Sequence, residues 1–455
     1  MSPAGTVRVL GDEAGFFTLE PYRYAGKHPD VQGEMKDTRL FYAFQPADEH
    51  AQDKPIFVFF NGGPGCATTT VLFAFNTAKR SIDTPLKADP PWVDNPHSFT
   101  RLGNVLYVDT RDAGFSYNLK GSPGQDKVAI HAGVDAADVL RLVLRFLDRH
   151  EPLRDNPVVL VGESWGGSRA NVMASLVRSP DDLRDPRSEY VDPALADEID
   201  AHLALAFPRE VGETPTEDLA LRQFGWQVLI QPVVLGPLQW NASLGKGPSI
   251  TAADREKENA RFDAAARRIQ DYYVLKALLG VDPAEIRDML PVQRTVSDRS
   301  RCEGEDLGPN SLFAVLGELP RWDDCYHASC TLNVLDAYDA YAVPMAFLGN
   351  LGRVETFITN ALHDDVVFSP AIVDALRSQP HMFSKVEVSS TPNDPRSTVI
   401  HLEVSEKTSE FFEIPATVRI PFPAYEAGHS VPMHTPGEFL ADVEAWLGAT
   451  SARRH

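Results

Sequence analysis

The feature that most constrains this chain is a G-x-S-x-G pattern, Gly162-Glu163-Ser164-Trp165-Gly166, set between an apolar run and a helix-like segment. The run VVLV ends just before it, and SRANVMASLV follows it closely. Small residues two positions before and after a serine let a strand and a helix approach closely, and the strained turn between them exposes the hydroxyl. The pattern therefore predicts that Ser164 is a nucleophile at the end of a buried strand.

Four short apolar runs, rich in β-branched or aromatic residues, are typical of strands buried on both faces. They occupy residues 55–61, 104–109, 157–162 and 227–236. Between the second and the third, residues 134–150 carry apolar side chains at helical spacing. Strand, helix and strand in this order imply a parallel sheet. Together with the strained turn at Ser164, called a nucleophile elbow, these elements predict an α/β protein of the α/β-hydrolase fold, with a mostly parallel central sheet flanked by helices.

The chain of 455 residues is long enough for such a core and an inserted subdomain. After Gly236 the sequence changes to a polar pattern with helical spacing from Ala252, and strand-like runs return at residues 355–362 and 417–422 before a closing amphipathic helix. We therefore expect a core in two parts, around a mainly helical cap. The first part is residues 1–245, with a small insertion at about 179–222; the cap is 246–338; and the second part is 339–455.

The charge balance argues against two classes of partner. Lys and Arg number 43 against 64 Asp and Glu, a net charge of −21, which repels nucleic-acid phosphates and anionic lipid headgroups. The longest apolar stretches are far shorter than the roughly 20 residues of a membrane helix. We predict no nucleic-acid and no membrane partner, and nothing in the sequence specifies an oligomeric state.

The N-terminus lacks a basic start followed by an apolar stretch, so it does not resemble a signal peptide. As written, the chain is expected in the cytoplasm. The alternative is a secreted or extracytoplasmic protein whose leader has been replaced by a new initiator Met. Four cysteines in so long a chain form no C-x-x-C pair of the zinc kind, and we predict neither a metal nor a cofactor.

A serine hydroxyl is a weak nucleophile and needs a base, and that base needs an orienting carboxylate. In this fold the chain order is serine, acid, histidine. Of 13 histidines, His429 lies late in the chain, just after a strand and just before the final helix. The acid should follow the preceding core strand, where Asp364 and Asp365 are adjacent. Asp364 fits better, because the apolar pair after Asp365 then returns to the core; Asp365 stays as the alternative.

The transition state also needs donors for a developing oxyanion. One is usually the backbone N–H after the nucleophile, here that of Trp165, and the other comes from a glycine-rich loop after an earlier strand. The run NGGPG at residues 61–65, directly after the apolar run IFVFF, is the natural source of the second.

Four blocks of the sequence resemble, in order, the signature blocks of the serine carboxypeptidases. They are residues 61–66, 95–117, 162–167 and 427–436. The resemblance implies an α/β-hydrolase with a helical cap that removes single residues from peptide C-termini without a metal. It implies Ser164 as nucleophile, His429 as general base, and Gly63 with Trp165 as oxyanion donors.

The same resemblance implies that Asn61 and Glu163 hold the free carboxylate of the substrate, Asn61 through its amide and Glu163 through a shared proton. A neutral Glu can donate a hydrogen bond to another carboxylate. In secreted or vacuolar members, Cys66 would bridge to Cys330 and tie the glycine loop to the cap. Cys302 would then pair with Cys325.

The sequence also departs from the family pattern. A second acidic residue usually pairs with the Glu of the elbow, about ten positions after the Asn of the glycine loop, whereas here residues 73–78 read FAFNTA. The Cys of the loop is followed by Ala67-Thr68 in place of serines, and Trp165-Gly166 stands where Tyr-Ala is common. The acid motif lacks its usual Gly-Asp start.

We therefore expect a serine carboxypeptidase that hydrolyses the C-terminal peptide bond of peptides with a free C-terminus, through an acyl-enzyme on Ser164. Because the acidic partner near Phe75 is missing, a serine esterase or acyltransferase with the same triad is the first alternative. The second is a catalytically inactive hydrolase fold used as a binding protein, against which the full set of site residues argues.

Overall fold

The computed structural model describes most of the predicted core. The described residues are 10–26, 32–35, 37–63, 67–69, 72, 76–82, 92–111, 113, 115–118, 132–235, 239, 342–364 and 367–454. The predicted cap at 246–338 lies outside the described residues. So do Asp365 and the four residues of the two predicted bridges, Cys66, Cys302, Cys325 and Cys330.

The strands of the described residues are β1 (Glu13–Leu19), β2 (Tyr22–Ala25), β3 (Gln32–Met35), β4 (Thr38–Gln45), β5 (Ile56–Phe60), β6 (Arg80–Ile82), β7 (Trp92–Asp94), β8 (Asn104–Val108), β9 (Tyr117–Asn118), β10 (Val158–Glu163), β11 (Trp226–Ile230), β12 (Glu355–Ile358), β13 (Asn360–Ala361), β14 (Phe383–Thr391), β15 (Asp394–Val404), β16 (Thr417–Pro421) and β17 (Ala424–Tyr425). Their α-helices are α1 (Ala132–Arg149), α2 (Trp165–Arg178), α3 (Pro193–Ala206), α4 (Thr216–Phe224), α5 (Ala342–Asn350), α6 (Pro370–Arg377), α7 (Glu406–Phe412), α8 (Val431–His434) and α9 (Pro436–Arg454).

The central sheet has eight strands in the order β1-β4-β8-β5-β10-β11-β12, with β9 paired to β4. The five strands from β8 to β12 in this order are parallel, while β1 and β4 are antiparallel at one edge. This confirms the predicted mostly parallel sheet and the α/β-hydrolase fold class. In such a sheet the carboxyl ends of the parallel strands meet at one edge, which is where ligands bind.

Strand β5 shows why its sequence is a continuous apolar run. Ile56, Val58 and Phe60 belong to the hydrophobic cluster on one face of the sheet, and Phe57 and Phe59 belong to the cluster on the other. Successive side chains of a strand point to opposite faces, so burial of both faces requires apolar residues at every position.

The helices flank this sheet. The predicted helix at 134–150 is confirmed as α1, and the segment after the elbow is α2. The closing helix is α9, whose buried apolar side chains join the second cluster. The predicted small insertion at about 179–222 contains α3 and most of α4. Within the described residues, no helix has the length and apolar character needed to cross a membrane.

Two parts of the fold differ from the prediction. Strand β11 ends at Ile230, well before residue 236, because Gln231 has φ 47° and the following Pro232 has no N–H to donate. The hairpin β14–β15, which extends to β16 as a three-stranded antiparallel sheet, was not predicted. In β15 the buried Ile400, Leu402 and Val404 alternate with polar residues, which was the available signal for a strand.

Candidate active site

The chemistry-bearing residues lie at the carboxyl ends of the parallel strands. Asn61 follows β5, Asp109 follows β8, Ser164 follows β10 and Gln231 follows β11. Asp364 comes shortly after β12 and β13. Residues distributed over the sequence therefore meet at one sheet edge, as the topology of an open parallel sheet requires.

Ser164 occupies the turn between β10 and α2 with φ 59° and ψ −122°. A positive φ is strained for a residue with a Cβ, and such strain is typical of active sites. Hydrogen bonds hold the turn, because Ser164 N donates to Ile230 O at 2.8 Å. Its carbonyl oxygen accepts from Gly167 N at 2.9 Å and Val233 N at 3.1 Å. This is the geometry that the sequence pattern predicts for a nucleophile elbow.

Glycines make the close approach of strand and helix possible. A Cβ on Gly162 would lie 2.1 Å from the carbonyl oxygen of Gly166, and a Cβ on Gly166 would lie 2.7 Å from that of Phe60. Both neighbours are backbone atoms, which cannot rotate away. The two glycines of G-x-S-x-G are therefore required by backbone packing.

The glycine loop rests directly on the elbow. A Cβ on Gly62 would lie 2.6 Å from Trp165 N and 2.7 Å from the Cβ of Ser164. The next residue, Gly63, is exposed and has φ 104°, a conformation that favours glycine. The structure thus brings the loop that holds Gly63 beside the Trp165 N–H, the two predicted sources of oxyanion donors.

Asn61 and Glu163 are both buried and flank this contact, since the Cβ position of Gly62 is also 2.6 Å from Glu163 O. The Asn61 side chain is engaged in its own loop. Its Oδ1 accepts from Gly62 N at 2.8 Å, and its Nδ2 donates to Ala67 O over a long 3.4 Å. An amide nitrogen carries two hydrogens, so a carboxylate could be recognised by the second one.

Asp364 lies against His429. Its Oδ2 is 2.8 Å from His429 Nδ1, and its Oδ1 accepts from Val367 N at 3.0 Å. Burial alone would raise the pKa of Asp364, but the charge and hydrogen bond of His429, with bonds from Gln231 and Val367 N, hold that pKa below its usual value. The carboxylate is therefore ionised and orients the imidazole, as a triad acid does.

Backbone pairing brings these two residues together. Strands β13 and β17 are parallel, and His363 N donates to Ala427 O at 3.0 Å. His363 directly precedes Asp364, and Ala427 lies two positions before His429. The loops that carry the acid and the base are thus joined by hydrogen bonds next to the side chains they present.

Sequence reasoning missed a buried ion pair beneath the elbow. Arg169 of α2 donates from Nη1 to Asn61 O at 2.5 Å and from Nε to Asp135 Oδ2 at 2.8 Å. The same Asp135 oxygen accepts from Trp165 Nε1 at 3.2 Å. Asp135 belongs to α1, so the pair ties the glycine loop and the elbow to that helix. No local spacing connects Asp135 to Arg169, and hence the sequence gives no signal for the pair.

A second missed residue is Asp109, buried behind the glycine loop. It accepts from Thr69 N at 3.0 Å and Thr69 Oγ1 at 2.9 Å, and from Phe115 N at 3.1 Å. Burial raises the pKa of Asp109 to about 6, although these donors oppose the rise. Asp109 therefore joins the segment after the glycine loop to the loop after β8.

A third missed residue is Gln231, whose Nε2 donates to Asp364 Oδ2 at 2.8 Å. The available signal was that this polar residue interrupts the apolar run VLIQPVVLG. Gln231 was instead included in the predicted strand.

A cleft of 1320 Å³ lies elsewhere, at the opposite edge of the sheet. Pro55, Pro157 and Trp226 line it, and each lies at or just before the start of a parallel strand. It shares no residue with the candidate site. Across the part of the chain that the structure describes, no cluster of three His, Cys, Asp or Glu side chains is arranged to hold a metal ion.

Comparison with known proteins agrees with this geometry. Residues 22–183 match the model of the family described as serine carboxypeptidase. Serine carboxypeptidase-like 13 of Arabidopsis thaliana is 27% identical over 140 residues, which are 30% of this chain and 31% of that protein. Carboxypeptidase Y of Saccharomyces cerevisiae is 32% identical over 184 residues, 37% of this chain and 32% of that protein. The alignments therefore span about a third of each relative's length.

Among solved structures, the chain is similar to Kex1(delta)p, a prohormone-processing carboxypeptidase from Saccharomyces cerevisiae. The TM-score is 0.52 at 12% sequence identity, with 96% of this chain and 91% of the other covered. At this identity the likeness concerns the fold. The chain therefore has an α/β-hydrolase fold and, over residues 22–183, is similar to the serine carboxypeptidases.

Proposed function

We propose that this protein is a serine hydrolase that cleaves the C-terminal peptide bond of peptides through an acyl-enzyme on Ser164. The observation that carries the proposal is the 2.8 Å contact between His429 Nδ1 and an ionised Asp364, at the sheet edge where the elbow presents Ser164. Of the relatives that match in sequence, one is called carboxypeptidase Y and another serine carboxypeptidase-like 13, which supports the choice of a peptide substrate.

The reaction follows from these positions. His429 accepts the Ser164 proton while Ser164 Oγ bonds to the scissile carbonyl carbon, and Asp364 stabilises the resulting imidazolium. The N–H groups of Gly63 and Trp165 donate to the oxyanion. The imidazolium then protonates the leaving amine as the C–N bond breaks. Water, deprotonated by His429, attacks the acyl carbon and releases both Ser164 and the shortened peptide.

Substrate selection would fall to Asn61 and Glu163. Both are buried beside the elbow, and the resemblance to the serine carboxypeptidases implies that they hold the free C-terminal carboxylate. A protonated Glu163 and one N–H of the Asn61 amide would donate to that carboxylate. A C-terminal amide has one carbonyl oxygen in place of two carboxylate oxygens, so at least one of these hydrogen bonds to a charged group would be lost.

An esterase or acyltransferase is the second candidate. It is favoured by the Asn61 amide, whose Oδ1 and Nδ2 both make hydrogen bonds within the glycine loop. A blocked dipeptide and its C-terminal amide separate the two functions. We expect release of the terminal residue from the free acid at a rate at least tenfold, roughly, above that from the amide, since one unmade hydrogen bond to a charged group costs that much. Equal rates would favour the second candidate.

Replacement of Ser164 tests the nucleophile. Ser164→Ala should lower kcat on an activated ester by about 10⁴-fold or more, because no other group can form the acyl-enzyme. Labelling by a fluorophosphonate probe should also be lost. Ser175→Ala is the matched control, since Ser175 lies in the same helix, α2, and contributes nothing to the elbow turn. Wild-type turnover by Ser164→Ala would contradict the proposal.

A further inference from the structure

Gln231 is buried at the end of β11 and has an unusual backbone conformation. Its φ of 47° lies in the left-handed region, where a residue with a long side chain is strained. Strain of this kind persists only where the surrounding structure holds it, and it concentrates at functional sites. The hydrogen bonds of the Gln231 side chain indicate which function this conformation serves.

The orientation of the Gln231 amide is determined by its neighbours. Its Oε1 accepts from Ala361 N at 2.8 Å and from Thr359 Oγ1 at 3.1 Å. A backbone N–H can only donate, so the oxygen of the amide must face Ala361. The nitrogen must then face the opposite side, where it donates to Asp364 Oδ2 at 2.8 Å.

The oxygen that receives this bond is the one that holds the base. Asp364 Oδ2 accepts from both Gln231 Nε2 and His429 Nδ1, while Oδ1 accepts from Val367 N. The Gln231 amide is uncharged and does not lose its proton at any ordinary pH, so it remains a hydrogen-bond donor to Asp364. A donor fixed in this way favours the ionised form of the carboxylate and determines which lone pairs face the imidazole.

We propose that Gln231 is a positioning residue of the catalytic acid: its amide orients the Asp364 carboxylate toward His429 and keeps the pair competent at acidic pH. The inference rests on the proposed function, since it assigns Asp364 and His429 to one reaction. His429 contacts Asp364 at 2.8 Å. Among the described residues of these loops, His363 and Glu426 form a second pair, which is exposed to solvent and therefore well screened.

Strand β11, which Gln231 follows, offers a matched control. Gln227 is also buried, and its Nε2 donates to Asn171 Oδ1 at 3.1 Å and to Thr356 Oγ1 at 2.9 Å, with no contact to the triad. Gln227→Met and Gln231→Met each remove the hydrogen bonds of one buried amide while keeping the length of the side chain. Both should unfold at lower temperature than the wild type, but only Gln231→Met should affect catalysis.

The experiment measures kcat/KM on an activated ester across the acidic pH range. For Gln231→Met we expect a loss of about 10- to 100-fold, as for other displaced catalytic groups. We also expect the acid limb of the profile to move up by roughly one pH unit, because the unshared carboxylate holds the imidazolium form of His429 more strongly. Gln227→Met should keep the wild-type profile.

Gln231→Glu separates positioning from a structural role. A Glu keeps an oxygen for Ala361 N and Thr359 Oγ1 but replaces the donor to Asp364 with a carboxylate oxygen. Two like charges then meet at Asp364, so turnover should fall as the pH rises above the acidic range. A wild-type profile for Gln231→Glu, or equal profiles for Gln231→Met and Gln227→Met, would overturn the inference.

A failure of the proposed function is distinguishable from a failure of this inference. Ester turnover that does not depend on Ser164 would contradict the former. The hydrogen bond would then still be read from the proton resonance of His429 Nδ1–H, which Gln231→Glu should shift and Gln227→Met should not. An unshifted resonance in Gln231→Glu would contradict the inference by itself.

Discussion

The two halves of the candidate site are held by different kinds of interaction. The nucleophile half, which consists of the elbow and the glycine loop, is packed through backbone atoms in close contact at Gly62, Gly162 and Gly166, with the Arg169–Asp135 pair beneath it. The acid–base half, which consists of the loops around Asp364 and His429, is held by side-chain hydrogen bonds and by one short backbone pairing.

This difference determines how each half tolerates change. Backbone packed at such distances admits no additional atom, because interiors are close-packed and the chain itself must shift to make room. A side-chain hydrogen bond can be removed with the backbone left in place. We therefore expect substitutions in the nucleophile half to cost stability and turnover together, and substitutions in the acid–base half to cost turnover with a smaller loss of stability.

The largest effect is expected from one added methyl group in the elbow. Gly162→Ala places a Cβ 2.1 Å from the Gly166 carbonyl oxygen, so the strand and the helix must separate. We expect a loss of about 5 kcal/mol or more in the free energy of unfolding, the range reserved for such backbone conflicts. Urea unfolding measures it.

Gly448→Ala is the control for Gly162→Ala. Gly448 lies inside α9 and has no atom within 4 Å of its Cβ position. Alanine is favoured over glycine in a helix, so this change should stabilise the protein by about 0.5–1 kcal/mol. If Gly162→Ala unfolds at the urea concentration of the wild type, the backbone account of the nucleophile half is wrong.

The next largest effect is expected at the ion pair beneath the elbow. Arg169→Met leaves the Asp135 carboxylate, whose side chain is 10% exposed, without its cation. Removal of one partner of a buried pair costs about 3–5 kcal/mol. Turnover should fall as well, because Asn61 O and the glycine loop lose their donor.

Two further variants sharpen this prediction. Adding Asp135→Asn to Arg169→Met removes the uncompensated charge and should recover most of the lost stability, with Trp165 Nε1 still able to donate to the new amide oxygen. Arg184 pairs with Asp197 and Asp200 at the surface, so Arg184→Met should cost only about 1 kcal/mol or less. Equal losses for Arg169→Met and Arg184→Met would show that burial adds nothing to the inner pair.

The same contrast explains what the sequence could predict. Ser164 and its flanking glycines form a local pattern, because backbone packing requires fixed residue types at fixed spacing. His429 and Asp364 were placed by chain order, and the structure brings them into contact. The parallel strands were predictable because a strand buried on both faces must be apolar throughout.

The remaining features have no local signal. Gln231 and Gln227 are both polar residues in one apolar run, and nothing in the sequence shows that the first contacts Asp364, 133 positions later. Arg169 and Asp135 are likewise joined only by the packing of α2 against α1. Tertiary contacts decide each of these cases.

The smallest expected effect compares one buried aspartate from each half of the site. Asp109 and Asp364 are both buried, but Asp364 faces His429, whereas Asp109 accepts from the neutral groups of Thr69 and Phe115. Burial raises the pKa of Asp109 to about 6, above its ordinary value of 3.8, while the pKa of Asp364 is lowered.

Between these two pKa values of Asp109, the folded protein binds a proton that the unfolded chain does not. Asp109 therefore adds stability as the pH falls through that window, by about 2 kcal/mol, whereas Asp364 loses its contribution as the pH falls below its ordinary range. As the pH falls from about 7 to about 4, the free energy of unfolding of the wild type, measured in urea, should rise relative to that of Asp109→Asn. A constant difference between the two proteins would show that Asp109, like Asp364, is held ionised.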